Sequence, residues 1–142
     1  IIIGNASNNR IIGGPGKDKL TGGGLTDIDT FAYNYLSESL VSGFDTITDF
    51  KRIDRIITPF SVATTTLETS LGNTTSLTSS AVEAVLTPLT FTANSAAAFT
   101  ATGYTGTFIA FNDSRAGFQA DSDSIILLQG FTLSPTNYVD LI

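Results

Sequence analysis

The sequence predicts an all-β fold in which a short parallel β-roll continues into a β-sandwich-like cap with one or two short helices. Three observations support this prediction. The 142 residues are 42% hydrophobic, which suits one folded domain. Residues 1–33 are rich in Gly, Asn and Asp, and the later segments are rich in Thr, Ser and short strand-like pieces. We expect a single domain over residues 1–142, with the roll at 1–35, the cap at 36–142 and a Thr- and Ser-rich middle at 61–101.

The amino-acid composition argues against several classes of function. The chain has no Cys and no His, which excludes disulfides, cysteine nucleophiles, Ser-His-Asp triads and the usual zinc sites. The formal net charge is -6 and the basic residues are scattered, so no nucleic-acid partner is expected. Glu is scarce, and no acid pair has a convincing context for glycoside hydrolysis. We therefore expect the chain not to be an enzyme.

No segment of the sequence predicts a membrane span or a signal peptide. The longest apolar runs, such as Ile125–Leu128, are far shorter than the roughly 20 residues that a spanning helix needs. Because the chain does not begin with Met, we expect it to be part of a longer protein with a larger N-terminal cargo region.

The most informative motif is a nine-residue repeat near the N-terminus. Gly13–Thr21 fits every fixed position of the pattern G-G-x-G-x-D-x-U-x, where U is apolar, which is the pattern of calcium-binding β-roll repeats. Residues 4–12 match loosely in the same register, with Asn9 in place of the aspartate and Ile11 as the apolar residue. Gly22–Phe31 begins a third repeat that is about two residues too long for the pattern.

Each repeat predicts a turn followed by a short strand. The first six residues turn, because glycine allows positive φ and a close approach of backbone carbonyls. The last three residues form a strand whose apolar residue (Ile11, Leu20 or Phe31) points into the roll. The turn carbonyls and carboxylates are hard oxygen ligands, which suit calcium.

Two repeats make one coil, so turns on the same side of the roll are two repeats apart. We expect the turn at 4–9 to stack on the turn at 22–29 with calcium between them, and the turn at 13–18 to lie on the opposite side. An alternative is a set of Gly-Asn-Asp turns that hold no metal. The candidate ligands within the repeats are Asn9, Gly13, Gly14, Gly16, Asp18, Gly22, Gly24, Asp27 and Asp29.

Residues 4–31 resemble the RTX, or haemolysin-type, calcium-binding repeats. Residues 31–54 resemble the segment that closes the roll in the C-terminal domain of serralysin-type secreted proteins, although 51–57 is shorter and lacks the glycine of the family. The resemblance implies that Glu38 and Asp45 complete the last calcium site. The alternative is that Glu38 is a solvated side chain in a Ser-rich loop.

A second resemblance covers the C-terminal part. Residues 106–131 resemble the terminal hairpin of the same module, closest to the bluetail domain at the C-termini of large surface proteins. The resemblance implies export by the bacterial type I secretion machinery, an extracellular or cell-surface location, and folding that calcium drives outside the cell. Tyr138–Ile142, an acid followed by apolar residues, fits an uncleaved secretion signal loosely.

Two functions are compatible with these observations. The first is a secreted calcium-binding C-terminal module in which Ca²⁺ drives folding of the β-roll after type I secretion. The second is a calcium-stiffened structural or adhesive building block of an extracellular surface layer or filament, which requires self-association.

The remaining polar and helical motifs have structural interpretations. Asp54, between two arginines, is expected in an exposed ion-pair cluster. Residues 80–86 predict a short helix that a capping box begins, and 94–99 predict a second one. Turn caps, with metal ligands as the alternative, are expected at Asn112, Asp113, Asp121 and Asp123.

Overall fold

A computed structural model describes residues 1–62 and 66–142, so residues 63–65 of the predicted Thr-rich middle lie outside the described residues. The all-β class is confirmed. In the described residues, no helix is long and apolar enough to cross a membrane.

The helical elements are a 3₁₀ helix at Leu36–Glu38 and α1 at Ser79–Glu83. The strands are β1 Ile2–Ile3, β2 Arg10–Ile11, β3 Lys19–Thr21, β4 Thr30–Ala32, β5 Asp45–Ile47, β6 Arg55–Ile57, β7 Thr66–Leu67, β8 Asn73–Thr74, β9 Ala96–Ala101, β10 Gly106–Phe111, β11 Ser124–Gln129 and β12 Val139–Leu141.

The strands form two sheets with a shared core. The seven-stranded sheet has the order β1-β3-β5-β11-β10-β9-β8, and the five-stranded sheet has the order β2-β4-β6-β12-β7. Strands β1 to β6 alternate between the sheets in chain order, and each pairs in parallel with the strand one coil later. Parallel pairing continues through β5 and β6, and β11 and β12 then extend the two sheets. The described strands therefore form a β-roll of three coils that merges into the cap.

The roll is held together by two ladders of apolar side chains. In the larger sheet, Leu20 is in register with Ile47, and in the smaller sheet Phe31 is in register with Ile56. The residues predicted to point inward, Ile11, Leu20 and Phe31, are all buried, which confirms their orientation. They share one core with the inward side chains of the cap strands.

The cap strands of the larger sheet are buried on both faces. In β10, Ile109 and Phe111 pack into the core between the sheets, whereas Phe108 and Ala110 pack into a second core on the outer face. This alternation is the period of two that a strand imposes. β10 and β11 form the antiparallel hairpin that residues 106–131 predicted. Residues from α1 and the loop that follows it cover the second core.

The helix predictions were partly wrong. α1 forms at Ser79–Glu83, but its N-cap is Thr78 and no side chain caps it, so the predicted capping box at residues 80–83 is absent. The second predicted helix, at 94–99, is wrong. Asn94 adopts φ 54° in a turn, and Ala96–Ala101 form β9 between two neighbouring strands. Ladder hydrogen bonds and burial there outweigh the helical preference of alanine.

Candidate metal centre

The turns of the roll stack along two opposite edges. The first edge carries the turns at residues 4–9, 22–29 and 48–54, and the second edge carries those at 12–18 and 33–44. On the first edge, Ile28 donates its backbone N–H to Asn8 Oδ1 at 2.9 Å. On the second edge, Asp18 donates its backbone N–H to Asp45 Oδ1 at 2.8 Å. The stacking thus follows the two-repeat period that the sequence predicted.

Asp45 is the most deeply buried acid of the second edge. It opens β5 and is fully shielded from solvent. Its backbone N–H donates to Ser39 Oγ at 2.8 Å, which fixes the loop above it. Its Oδ1 accepts the Asp18 N–H, but its Oδ2 is buried without a hydrogen-bond partner. A buried carboxylate oxygen with no donor is costly, so a cation at Oδ2 would be stabilising.

Two carboxylates converge beside Gly13. A Cβ atom built on Gly13 would lie 3.0 Å from Asp18 Oδ2 and 3.1 Å from Asp45 Oδ2. Glycine at this position therefore leaves room between two acceptor oxygens. In the same turn, Gly14 and Gly16 adopt φ values of 83° and 118°, which only glycine adopts without strain.

The charges of the second edge repel one another. Burial raises the pKa of the Asp45 carboxyl to about 6, and the negative charges of Asp18 and Glu38 raise it as well, against the hydrogen bond from the Asp18 backbone and the neighbouring Tyr33 hydroxyl. Glu38 is buried and accepts the Asn34 N–H at 3.0 Å. Burial, followed by the charge of Asp45, also raises the pKa of Tyr33, whose buried hydroxyl lies next to the Asp45 carboxylate without a well-formed hydrogen bond to it. These groups form an electronegative pocket that suits a divalent cation.

The first edge differs because protein donors already lie among its oxygens. Asn9 Nδ2 contacts Asn5 O at 3.0 Å, Asp29 Oδ1 at 3.1 Å and Gly22 O at 3.3 Å. One turn further along the edge, Lys51 Nζ lies 3.2 Å from each of Gly23 O, Asp27 Oδ1 and Asp29 Oδ2. The sequence predicted calcium at this edge, where Asn9 Nδ2 and Lys51 Nζ lie among the oxygens and Asp27 Oδ2 is buried without a hydrogen-bond partner.

The prediction made for Asp54 was wrong. Asp54 was expected in an exposed ion-pair cluster with Arg52 and Arg55, yet it is buried. Asp54 Oδ1 accepts the Asp29 N–H at 3.0 Å, and Oδ2 accepts the Lys51 N–H at 2.8 Å. Burial raises the pKa of Asp54, while these two hydrogen bonds and the charge of Lys51 lower it. Asp54 therefore connects the turn at 48–54 to the turn at 22–29, which lies next to it on the first edge.

The candidate ligands separate into two groups in the structure. The second edge brings together Gly13, Asp18, Glu38 and Asp45, and the first edge brings together Asn9, Gly22, Gly24, Asp27 and Asp29. In the described ranges, no three acidic side chains have the mutual geometry of a metal cluster. A calcium ion at the second edge would therefore need backbone carbonyls in addition to Asp18 and Asp45, as hard-oxygen calcium sites commonly use.

Sequence reasoning missed several residues of the two edges. Tyr33, Ser39 and Lys51 have no fixed place in the nine-residue pattern. Asp49, whose two oxygens accept the Gly22 and Gly23 N–H groups at 2.8 Å each, was also missed. A signal did exist for it, since Asp49 follows Gly22 by the same 27 residues that separate Asp18 from Asp45. A search for acids 27 residues after each residue of the repeat turns would have found Asp49.

The late acidic residues act as turn caps where the structure shows contacts. Asp123 Oδ1 accepts the Asp113 N–H at 2.9 Å, and Asp123 Oδ2 accepts the Gln119 N–H at 2.7 Å. Asn112 donates its amide to Phe91 O at 2.8 Å. Capping is confirmed for Asp123, whose two oxygens are occupied by protein donors, whereas the hydrogen bond of Asn112 joins residues far apart in the sequence and is not a turn cap.

We expect Asp123 to make calcium-free stability depend on pH. Burial raises its pKa from an ordinary 3.8 to about 6, against the hydrogen bonds that it accepts from the Asp113 and Gln119 backbones. Between about pH 4 and 6 the native state thus binds more protons than the unfolded state, so the free energy of unfolding falls as pH rises. Urea unfolding in EDTA at pH 4.5 and 6.5 should show a fall about 1–2 kcal/mol larger in the parent than in Asp123→Asn.

The control for this pH experiment is Asp121→Asn, which removes an exposed charge of the same sign. It should keep the pH dependence of the parent. Parallel pH profiles for the parent and Asp123→Asn would contradict the assignment.

Comparison with known proteins identifies the family. The family described as peptidase M10 serralysin C terminal matches residues 1–106, which include the roll and β7 to β9. No curated protein matches the chain. The match contains both stacks of turns and every candidate ligand. The match supports the interpretation of the chain as an RTX-type calcium-binding module, and the family comes from secreted bacterial proteins. The chain belongs to the peptidase M10 serralysin C-terminal family.

Proposed function

We propose that this chain is a secreted calcium-binding C-terminal module in which Ca²⁺ at the second edge drives folding of the β-roll after type I secretion. The observation that carries the proposal is Asp45 Oδ2, which is buried, without a donor, and faces Asp18 Oδ2 across Gly13. Calcium between these oxygens would satisfy Asp45 and offset the repulsion among Asp18, Glu38 and Asp45.

The family supports the location and the non-enzymatic role. Its model describes the C-terminal part of serralysin-type peptidases, which is the non-catalytic part. In the proposed role, the chain contributes no catalysis of its own. Low cytosolic calcium leaves the second edge without its cation, and the higher calcium outside the cell supplies it. Binding to the native state alone then shifts the folding equilibrium.

Thermal melts followed by far-UV circular dichroism test the proposal. The melting temperature in about 10 mM calcium is expected to exceed that in EDTA by roughly 5–10 °C, as saturation of one site of millimolar affinity or better predicts. Magnesium should give little of this rise, because it loses its water shell reluctantly. Identical melts in EDTA and calcium would contradict the proposal.

A structural or adhesive role is the second candidate. β8 is an edge strand of the seven-stranded sheet, and Leu71 just before it is 44% exposed. An exposed edge strand can pair with another chain. Light scattering over a range of protein concentrations, with and without calcium, tests this candidate. A calcium-dependent increase in mass would favour it, and a monomer throughout would exclude it.

A further inference from the structure

We propose that Lys51 is a built-in cation that replaces calcium at the first edge, so that the turns at 22–29 and 48–54 stack without metal and the calcium requirement is confined to the second edge. The proposal rests on the proposed function in one respect, since calcium is the ion that the first edge would otherwise attract. It goes beyond that function by giving the two edges different chemistry.

The ammonium of Lys51 lies where the oxygens of two stacked turns converge. Nζ is 3.2 Å from Gly23 O, from Asp27 Oδ1 and from Asp29 Oδ2, which are all in the turn at 22–29. It is 3.8 Å from Asp54 Oδ1 in its own turn. A lysine ammonium has three N–H donors, so the three shorter contacts use its full capacity.

The charges explain why a cation is needed at this position. Asp27, Asp29 and Asp54 are buried together, and Asp29 and Asp54 are almost fully shielded from solvent. Without a counter-charge, three carboxylates at this spacing would repel one another strongly. The ammonium of Lys51, 3.2 Å from Asp27 Oδ1 and Asp29 Oδ2, supplies one positive charge where calcium would supply two.

A second nitrogen donor lies in the preceding gap of the first edge, between the turns at 4–9 and 22–29. Asn9 stands where the nine-residue pattern has aspartate, and its Nδ2, which has two N–H donors, lies among four acceptor oxygens: Asn5 O, Ser7 O, Gly22 O and Asp29 Oδ1. An amide nitrogen cannot bind calcium, whereas an aspartate oxygen can. Both gaps of the first edge thus hold N–H donors. Each edge also has one buried carboxylate oxygen without a hydrogen-bond partner, Asp27 Oδ2 at the first and Asp45 Oδ2 at the second, but only the Asp27 carboxylate is bound through its other oxygen by an ammonium.

The two edges are expected to respond differently to one substitution. Lys51→Met keeps the apolar stem and removes the ammonium, leaving the Asp27 and Asp29 carboxylates and the Gly23 carbonyl for an external cation. The matched control is Lys19→Met, which removes the same charge from an exposed side chain of β3. The measurements are the melting temperature in EDTA and the number of calcium ions bound per chain by isothermal titration calorimetry.

Lys51→Met is expected to melt about 5–10 °C below the parent in EDTA, because it leaves buried acids unpaired. It should also bind one calcium ion more than the parent, and millimolar calcium should restore at least part of the lost melting temperature. Lys19→Met should match the parent in both measurements. A Lys51→Met protein that behaves like Lys19→Met would overturn the proposal, as would a lower melting temperature without an additional calcium ion.

Two further outcomes remain decisive. If Lys51→Met is unfolded in EDTA but folds in calcium, the proposal is supported. If it is unfolded in both, Lys51→Arg decides, because it keeps a cation. A parent-like melt and calcium count for Lys51→Arg support the proposal, and an additional calcium ion or a collapsed melt overturns it.

The experiment also separates this inference from the proposed function. If the parent binds no calcium, the second edge fails as a site. The lower EDTA melt of Lys51→Met and its gain of one calcium ion would still establish the role of Lys51.

Discussion

Asp45→Asn is expected to remove most of the calcium-dependent rise in melting temperature without lowering the melting temperature in EDTA below that of the parent. The amide oxygen can still accept the Asp18 N–H, which the carboxylate accepts at 2.8 Å. The amide nitrogen replaces Oδ2, the buried oxygen that faces Gly13, and cannot bind calcium. We expect the rise from EDTA to 10 mM calcium to fall from roughly 5–10 °C to about 0–2 °C.

Asp121→Asn is the matched control for Asp45→Asn. It makes the same change of charge at an exposed position and should keep the full response to calcium. The EDTA melt of Asp45→Asn should equal or exceed that of the parent, because a buried charge with a raised pKa has been removed. A parental calcium response in Asp45→Asn would place the calcium site elsewhere.

Phe108→Ala is expected to cause the largest loss of stability, and calcium should not compensate for it. Phe108 is fully buried in the outer core, with ring centroids 5.1 Å from Phe99 and 5.3 Å from Phe44 and Tyr104. Removing a buried phenylalanine costs about 3–5 kcal/mol. For a chain of this size, the melting temperature should fall by about 10 °C or more in both EDTA and calcium.

Tyr104→Ala controls for the aromatic cluster, because Tyr104 contacts the same rings but is 43% exposed. Its loss should be less than half that of Phe108→Ala. The calcium-dependent rise should persist in both variants, since the outer core lies on the far face of the larger sheet from the roll interior. Equal losses in the two variants would contradict this description of the core.

The sequence predicted the parts of the fold that a local repeat determines. The nine-residue pattern identified the parallel coils, the inward orientation of Ile11, Leu20 and Phe31, and the placement of alternate turns on opposite edges. It also named Asp18, which lies beside Asp45 in the structure. These features depend on residues a fixed interval apart, so they can be recognised without knowledge of the tertiary structure.

The parts that the sequence did not reveal depend on distant contacts. Lys51 appeared as one of several scattered cations, and only the stacking of its turn on the turn at 22–29 brings it to Asp27 and Asp29. Asp54 appeared exposed because arginines flank it, yet its side chain points into the stack. Ala96–Ala101 have helical propensity but pair with β8 and β10. In each case tertiary contacts outweigh the local preference.

Calcium titration of the metal-stripped parent by isothermal titration calorimetry is the most direct test of a calcium site at the second edge. We expect saturable binding with a dissociation constant of about a millimolar or tighter, abolished in Asp45→Asn and not reproduced by magnesium. Absence of saturable binding, or the same isotherm in Asp45→Asn, would contradict the assignment of calcium to the second edge.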